Sequence, residues 1–290
     1  MSTLASYAVT ALGGLAYGLL LFVLAAGLAL IVGVMNVMNL AHGASYLAGT
    51  YLAYLLTDGT LASLGIAVLA GITVAGLGGA ALSVLMRPLK GHTEQAVVTL
   101  GLGFIAAWIF TRVSGGTTLV PPRPAILDGH LSVAGHGYPV YHLSFIAVAA
   151  MLAAAMHAIL HHSLTGIRLR AAVDDPQMAD ATGLSAARIR TAALAVGTVL
   201  AVTAGVLGAP VLSPGPGVDS TVLTLSLIVL ILAGPGVRIR NLLIAAISVG
   251  MIQTLGVITF PTLASFSLLL AVIAALIIRG RHGLQAVATA

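Results

Sequence analysis

Cysteine is absent from the 290 residues, and charge is scarce: there is one lysine (Lys90), one glutamate (Glu94), and a charged fraction of only 7%. Lack of cysteine excludes a disulfide framework, a thiolate metal site and a cysteine nucleophile. Lack of charge leaves no polar exterior for a water-soluble globule, which ordinarily draws on a charged fraction of roughly 25%. The lone lysine is followed by Gly91 and His92, so no Gly-Lys-Ser or Gly-Lys-Thr phosphate loop exists and ATP is not bound by that means.

What remains dissolves in hydrocarbon. Hydrophobic residues make up 59% of the chain, and the mean hydropathy of +1.12 marks an integral membrane protein. The net charge of +5 sits in dispersed pairs between apolar runs, a pattern that belongs to membrane topology rather than to nucleic acid. The start, Met1-Ser2-Thr3-Leu4, lacks a basic n-region and a small-residue cleavage site, so the first span is expected to stay in the mature protein.

At about 20 apolar residues per crossing, helices are predicted near 8–33, 44–57, 61–86, 94–112, 142–160, 190–212, 220–235, 241–258 and 262–279. The fold class is all-α, a polytopic membrane protein of about eight or nine transmembrane helices. Segment 44–57 is short and follows a polar stretch, so residues 34–57 read as one discontinuous or re-entrant helix. Arg87 and Lys90, Arg168 and Arg170, Arg188 and Arg190, Arg238 and Arg240, and Arg279 and Arg281 can all lie on the cytoplasmic side. Residues 114–141 are then outside and the C-terminus inside. The N-terminus is outside if 34–57 completes a crossing, and inside if it turns back.

Two polar segments interrupt the apolar pattern. The first, Val34 to Gly43, carries Asn36, Asn39 and His42, whose polar atoms are tolerated at membrane depth only where protein or a watery cavity supplies partners. Asn36 and Asn39, three apart, can face one cavity and offer amides to a zwitterion, or can bond neighbouring helices. His42 can touch solute or satisfy backbone groups freed at the break. The other, Gly166 to Leu184, reads as a short cytoplasmic helix with Asp174 or Asp175 as cap, Pro176 in the first turn and Gly183 at the left-handed stop. Met178, Ala181 and Thr182 fall on one face of it, with Gln177 and Asp180 elsewhere.

With those residues in view, the chain resembles the inner-membrane permease subunits of ABC importers for branched-chain amino acids and related small solutes. The resemblance covers nearly the whole chain. It rests on Gly33-Val-Met-Asn-Val-Met-Asn-Leu-Ala-His-Gly43, on Arg170-Ala-Ala-Val-Asp-Asp-Pro-Gln-Met-Ala-Asp-Ala-Thr-Gly-Leu184, and on the glycine-rich turn near Ala233 to Arg240. The stretch at 33–43 is similar to the family's Asn-Phe-Ala-His-Gly type of signature with Leu40 in place of the aromatic. The stretch at 170–184 resembles the loop whose coupling helix docks on the ATPase. Ala44 stands where an acidic residue commonly follows the glycine, and Pro235 interrupts the usual Gly-Gly turn. These departures bear on substrate identity and leave the topology unaffected.

The resemblance implies a single permease domain over 1–290 with a cytoplasmic coupling loop at 163–188, in a multi-pass protein of the bacterial inner membrane. It implies a substrate pathway at Asn36, Asn39, His42 and Gly43. ATPase coupling would fall to Arg170, Asp174, Asp175, Met178, Ala179, Ala181, Gly183 and Leu184. The expected partners are a homologous second permease or a second copy, two cytoplasmic ATPase subunits that bind ATP and Mg, and an extracytoplasmic solute-binding protein, with no nucleic acid and no cofactor in this chain. Branched-chain or other hydrophobic amino acids lead as substrates, with urea, amides and other small solutes as the alternative.

The remaining candidates carry plainer readings. Gly76, Gly78, Gly79, Gly101 and Gly103 are expected to permit close helix packing. Glu94 suits a helix N-terminus. Asp219, after Pro214-Gly-Pro-Gly217, reads as part of an outer turn. His157 and His161 share a helix face with His162 adjacent, but read as a solvated helix end rather than a metal pair. A proton-coupled carrier usually places ionisable residues within its spans, whereas Asp58, Glu94, Asp174, Asp175, Asp180 and Asp219 fall at or beyond span ends. No motif of an intramembrane enzyme is present.

Overall fold

The computed structural model describes residues 3–259 apart from 90, 134, 182 and 235–237, with six further residues between 266 and 277. A run of apolar residues unbroken by charge forms α1 (Thr3–Met35), which is hydrophobic all round and therefore central: Leu20, Leu21, Phe22 and Leu24 are fully enclosed. Around it stand α2 (His42–Leu56), α3 (Leu61–Met86), α4 (His92–Val113), α5 (Val140–His162), α6 (Leu164–Asp174), α7 (Pro176–Ala181), α8 (Ala186–Gly208), α9 (Val218–Ala233) and α10 (Ile239–Thr259). Polar caps set several starts: Thr60, Ser163 and Ser185 accept from the N–H groups of Ser63, Gly166 and Arg188. Beside Thr60, the hydroxyls of Ser63 and Thr60 hold the Asp58 carboxyl below the usual carboxylate range.

Six described helices are long and apolar enough to span a bilayer, namely α1, α3, α4, α5, α8 and α10. At 15 and 16 residues, α2 and α9 are too short to cross alone, since a helix rises about 1.5 Å per residue. The all-α, polytopic expectation holds, and the described helices supply six such spans against the eight or nine expected. The last expected span, 262–279, lies mostly outside the described residues, and Lys90, Arg279 and Arg281 lie outside them.

Contacts between named residues give the directions. Leu20 meets Gly208 and Ile31 meets Gly197, so α1 and α8 are antiparallel. Gly71 lies beside Val202 and Val206, while Ser83 shares a 2.7 Å hydroxyl hydrogen bond with Thr191, so α3 and α8 are antiparallel too. Gly14 meets Met251 and Gly18 meets Ile247, which sets α10 against α1 in the same sense. Thus α1 and α3 run in one direction and both end at the cluster of Ile31, Met86 and Leu194. Residues 36–56 must carry the chain back to the opposite face between them. Arg87, Arg188, Arg190, Arg238 and Arg240 collect at the end of α1 and α3, and Arg112 and Arg123 at the other.

The central seam is glycine-built. A Cβ on Gly49 would meet the Val202 carbonyl, and one on Gly205 the Tyr46 carbonyl, so α2 and α8 touch backbone to backbone. Of the glycines expected to pack, Gly79 lies against Ala195 and Gly103 against Leu40 and Ala41, whereas Gly78 and Gly101 face open space. On the opposite face from the basic cluster, the loop before α5 folds into a feature not foreseen, an antiparallel hairpin of β1 (His130–Val133) and β2 (His136–Pro139) with His130 paired to Pro139. A stronger test of the seam than composition is substitution: Gly205→Val should destabilise the protein by about 1–3 kcal/mol through overpacking, and Gly78→Val should leave it unchanged, as measured by unfolding in mixed micelles.

Candidate functional site

The break after α1 is made by Asn36, whose φ of +53° puts it in the left-handed region while its N–H still reaches the Val32 carbonyl at 2.8 Å. From there the backbone leaves the helical ladder, and side chains replace the lost partners. The Asn39 carboxamide oxygen accepts from Ala41 N–H at 3.1 Å, the Asn39 carbonyl accepts from His42 N–H at 3.2 Å, and the Thr99 hydroxyl of α4 accepts from Leu40 N–H at 3.1 Å. The same hydroxyl donates to the Ala96 carbonyl at 3.0 Å.

His42 then starts α2, folded back against α1 by two to three turns: its Nε2 lies 2.9 Å from the Leu24 carbonyl. A carbonyl only accepts, so Nε2 carries a proton, and in the neutral ring Nδ1 is then an acceptor. That Nδ1 is buried without a partner, and so is the donor Nδ2 of Asn39. Both residues are only 1% exposed. Asn36 is exposed instead, so the two asparagines, whose spacing allowed them to face one cavity or to bond neighbouring helices, are separated by the turn between them.

Gly43 brings in a third element. The Asp219 carbonyl and the Leu223 Cβ occupy the space a Cβ on Gly43 would need, so the first turn of α2 abuts the first turn of α9. Gly217, at φ +82°, makes the turn that starts α9 there. Two half-length helices therefore begin side by side, their positive dipole ends meeting at the break. Asp219, which reads from sequence as an outer turn, sits half-buried beside Gly43, with Ser220 Oγ 3.4 Å from its carboxylate. Thr99, Leu24 and Asp219 are the site residues the sequence reading missed. Their available signal was the shortness of the segments after Gly43 and Gly217, because paired interrupted helices mark transporter sites.

The segment between α5 and α8 holds two helices, with α6 preceding the expected one. Asp175 Oδ1 caps α7 by accepting from Gln177 N–H at 3.1 Å and Met178 N–H at 2.9 Å, and Gly183 stops it at φ +86°. Met178 and Ala181 are exposed, Ala179 is turned inward, and Leu184 N–H closes the turn on the Ala179 carbonyl at 2.9 Å. Asp174 is the last residue of α6. Arg170 donates to the Leu160 carbonyl and so staples α6 to α5. Glu94 accepts from Gly91 N–H at the start of α4. The His157 and His161 rings lie 4.6 Å apart on exposed positions, and no group of three potential metal ligands occurs among the described residues.

A bundle of apolar helices long enough to span a bilayer, packed around a broken helix, defines a multi-pass membrane protein. The family model for the branched-chain amino acid transport system permease component matches residues 10–279, and the chain belongs to that family of ABC transporter subunits. No curated protein and no solved structure matches it. For the local geometry, Thr99→Val should strand the part-buried Leu40 N–H and destabilise the fold by about 1–3 kcal/mol, read by the same micelle unfolding. Asp175→Ala should cost α7 about 1 kcal/mol, read as faster amide exchange across 177–181 with the rest unchanged.

Proposed function

We propose that this chain is the membrane-spanning permease subunit of an ATP-driven importer, with branched-chain or other hydrophobic amino acids as its substrates. The family match over residues 10–279 carries this reading. On it, the chain forms half of a two-subunit pore with a homologous permease or a second copy, two cytoplasmic ATPase subunits supply ATP hydrolysis, and an extracytoplasmic binding protein delivers the solute. The chain itself, taken as one permease domain, is not the enzyme. The basic ends of the helices are cytoplasmic by the positive-inside rule, which leaves the N-terminus and the hairpin outside, in a bacterial inner membrane.

The pathway is assigned to the break. Asn39 offers a buried amide donor and His42 a buried ring acceptor, neither with a protein partner, and Gly43 holds the start of α9 beside them. A zwitterion supplies the opposite of each: a carboxylate for the amide and the helix dipoles, an ammonium for the ring nitrogen and Asp219. Asn36 stands at the exposed rim of the same turn. Coupling is assigned to 170–184, where α7 presents Met178 and Ala181 outward as a knob for the ATPase, framed by Asp175 and Gly183.

The test is ATP-dependent uptake of radiolabelled leucine into proteoliposomes holding the permease pair, ATPases and binding protein. Uptake is expected to require ATP and to be competed by valine; competition only by urea or amides would change the cargo, and gradient-driven uptake by this chain alone would overturn the importer. Asn39→Leu should lower uptake by tenfold or more, the worth of roughly one hydrogen bond to a charged group, without abolishing assembly, although loss of its oxygen also strands the Ala41 N–H. Met178→Glu with Ala181→Glu should leave the complex inserted while uncoupling hydrolysis from uptake, and unchanged coupled transport would remove the docking assignment.

A further inference from the structure

Helices α5 and α8 are tied at one end and apart at the other. Near the outer face the Tyr141 hydroxyl of α5 donates to the Leu207 carbonyl of α8 at 2.8 Å. Toward the basic face the two helices diverge, with Leu30 of α1 behind the gap and α6 across its end, leaving a cavity of about 720 Å³. Its walls are apolar, among them Leu152, Met156, Ile159 and Val196. Ile159 and Val196 are half exposed, so the cavity opens sideways to whatever surrounds the bundle. At its basic end stand Arg168 and Arg188, neither of which has a carboxylate partner among the described residues.

We propose that this wedge binds one anionic phospholipid of the inner leaflet, its phosphate facing Arg168 and Arg188 and an acyl chain lying between α5 and α8. The reasoning is one of complementarity. An apolar wedge open to the bilayer is filled by hydrocarbon, and its volume falls in the range of roughly 300–1,000 Å³ found for small-molecule sites. Two guanidinium groups at the end of such a wedge attract a phosphate, which they can hold bidentately. Basic pockets between membrane helices on the cytoplasmic side take anionic headgroups for this reason. Because Gly183, Ser185 and Arg188 line the cavity and directly follow α7, an occupied wedge also braces the loop that carries Met178.

The proposal is independent of what the importer carries and is tested on the full chain purified in maltoside detergent and stripped of lipid. Native mass spectrometry would follow titration with dioleoyl phosphatidylglycerol, dioleoyl phosphatidylcholine, inorganic phosphate and leucine. One phosphatidylglycerol should be retained roughly thirtyfold more tightly than phosphatidylcholine, the attraction expected from two arginines. Arg168→Gln with Arg188→Gln should reduce that preference to parity, Arg168→Lys with Arg188→Lys should keep most of it, and Ala192→Trp, which fills the cavity, should displace both lipids. Equal retention of the two lipids by the unaltered chain would overturn the site. So would displacement by inorganic phosphate alone, which would mean a free-anion site, or by leucine, which would place the space on the transport route. Loss of the lipid on adding the partner permease would make the surface a subunit interface and overturn it as well.

Discussion

The hydrogen bond from His42 Nε2 to the Leu24 carbonyl fixes how the chain returns after its first helix. In a bilayer no water replaces a missing backbone partner, so a turn at depth exists only where other groups take over each N–H and carbonyl. Here the Thr99 hydroxyl of α4 and the Asn39 side chain take the Leu40 and Ala41 N–H groups, while His42 pins the turn onto α1. Once the turn is held, α2 has its position beside α1, and the glycine contacts with α8 and α9 follow from it.

Those contacts set main chain against main chain at the seams of α2 with α8 and α9. Where Gly49 meets the Val202 carbonyl and Gly43 the Asp219 carbonyl, dispersion between close backbones replaces the interdigitated side chains of a soluble core. The surrounding helices show the complementary habit. α4 turns Phe104 and Trp108 outward, and Arg112 lies over the Trp108 ring at 5.4 Å, an aromatic and basic pair suited to the edge of a membrane.

The helices were legible because a spanning segment must be long and apolar, and their observed ends fall within about five residues of those expected; α1 starts five residues early, at Thr3, and α8 four residues early, at Ala186, where Ser185 caps it. The cap and stop of α7 were legible for the same kind of reason, as Asp175 and Gly183 act locally. The break was visible, since polar residues are conspicuous in an apolar chain. Its geometry was not: a spacing of three suggested that Asn36 and Asn39 share a face, but that inference needs a helix, and the left-handed Asn36 ends it. Asp219 escaped because its place beside Gly43 is a contact across 176 positions of chain. The hairpin escaped because its strands are four residues each.

The abutment of Gly43 on the Asp219 carbonyl has a dynamic consequence. A gate closed by side chains can open by rotamer flips, on the picosecond to nanosecond scale. Here two main chains meet, and main chains inside helices have no rotamers. Any opening at this point requires α2 and α9 to part as bodies, which sets its pace in the microsecond to millisecond range of helix displacement.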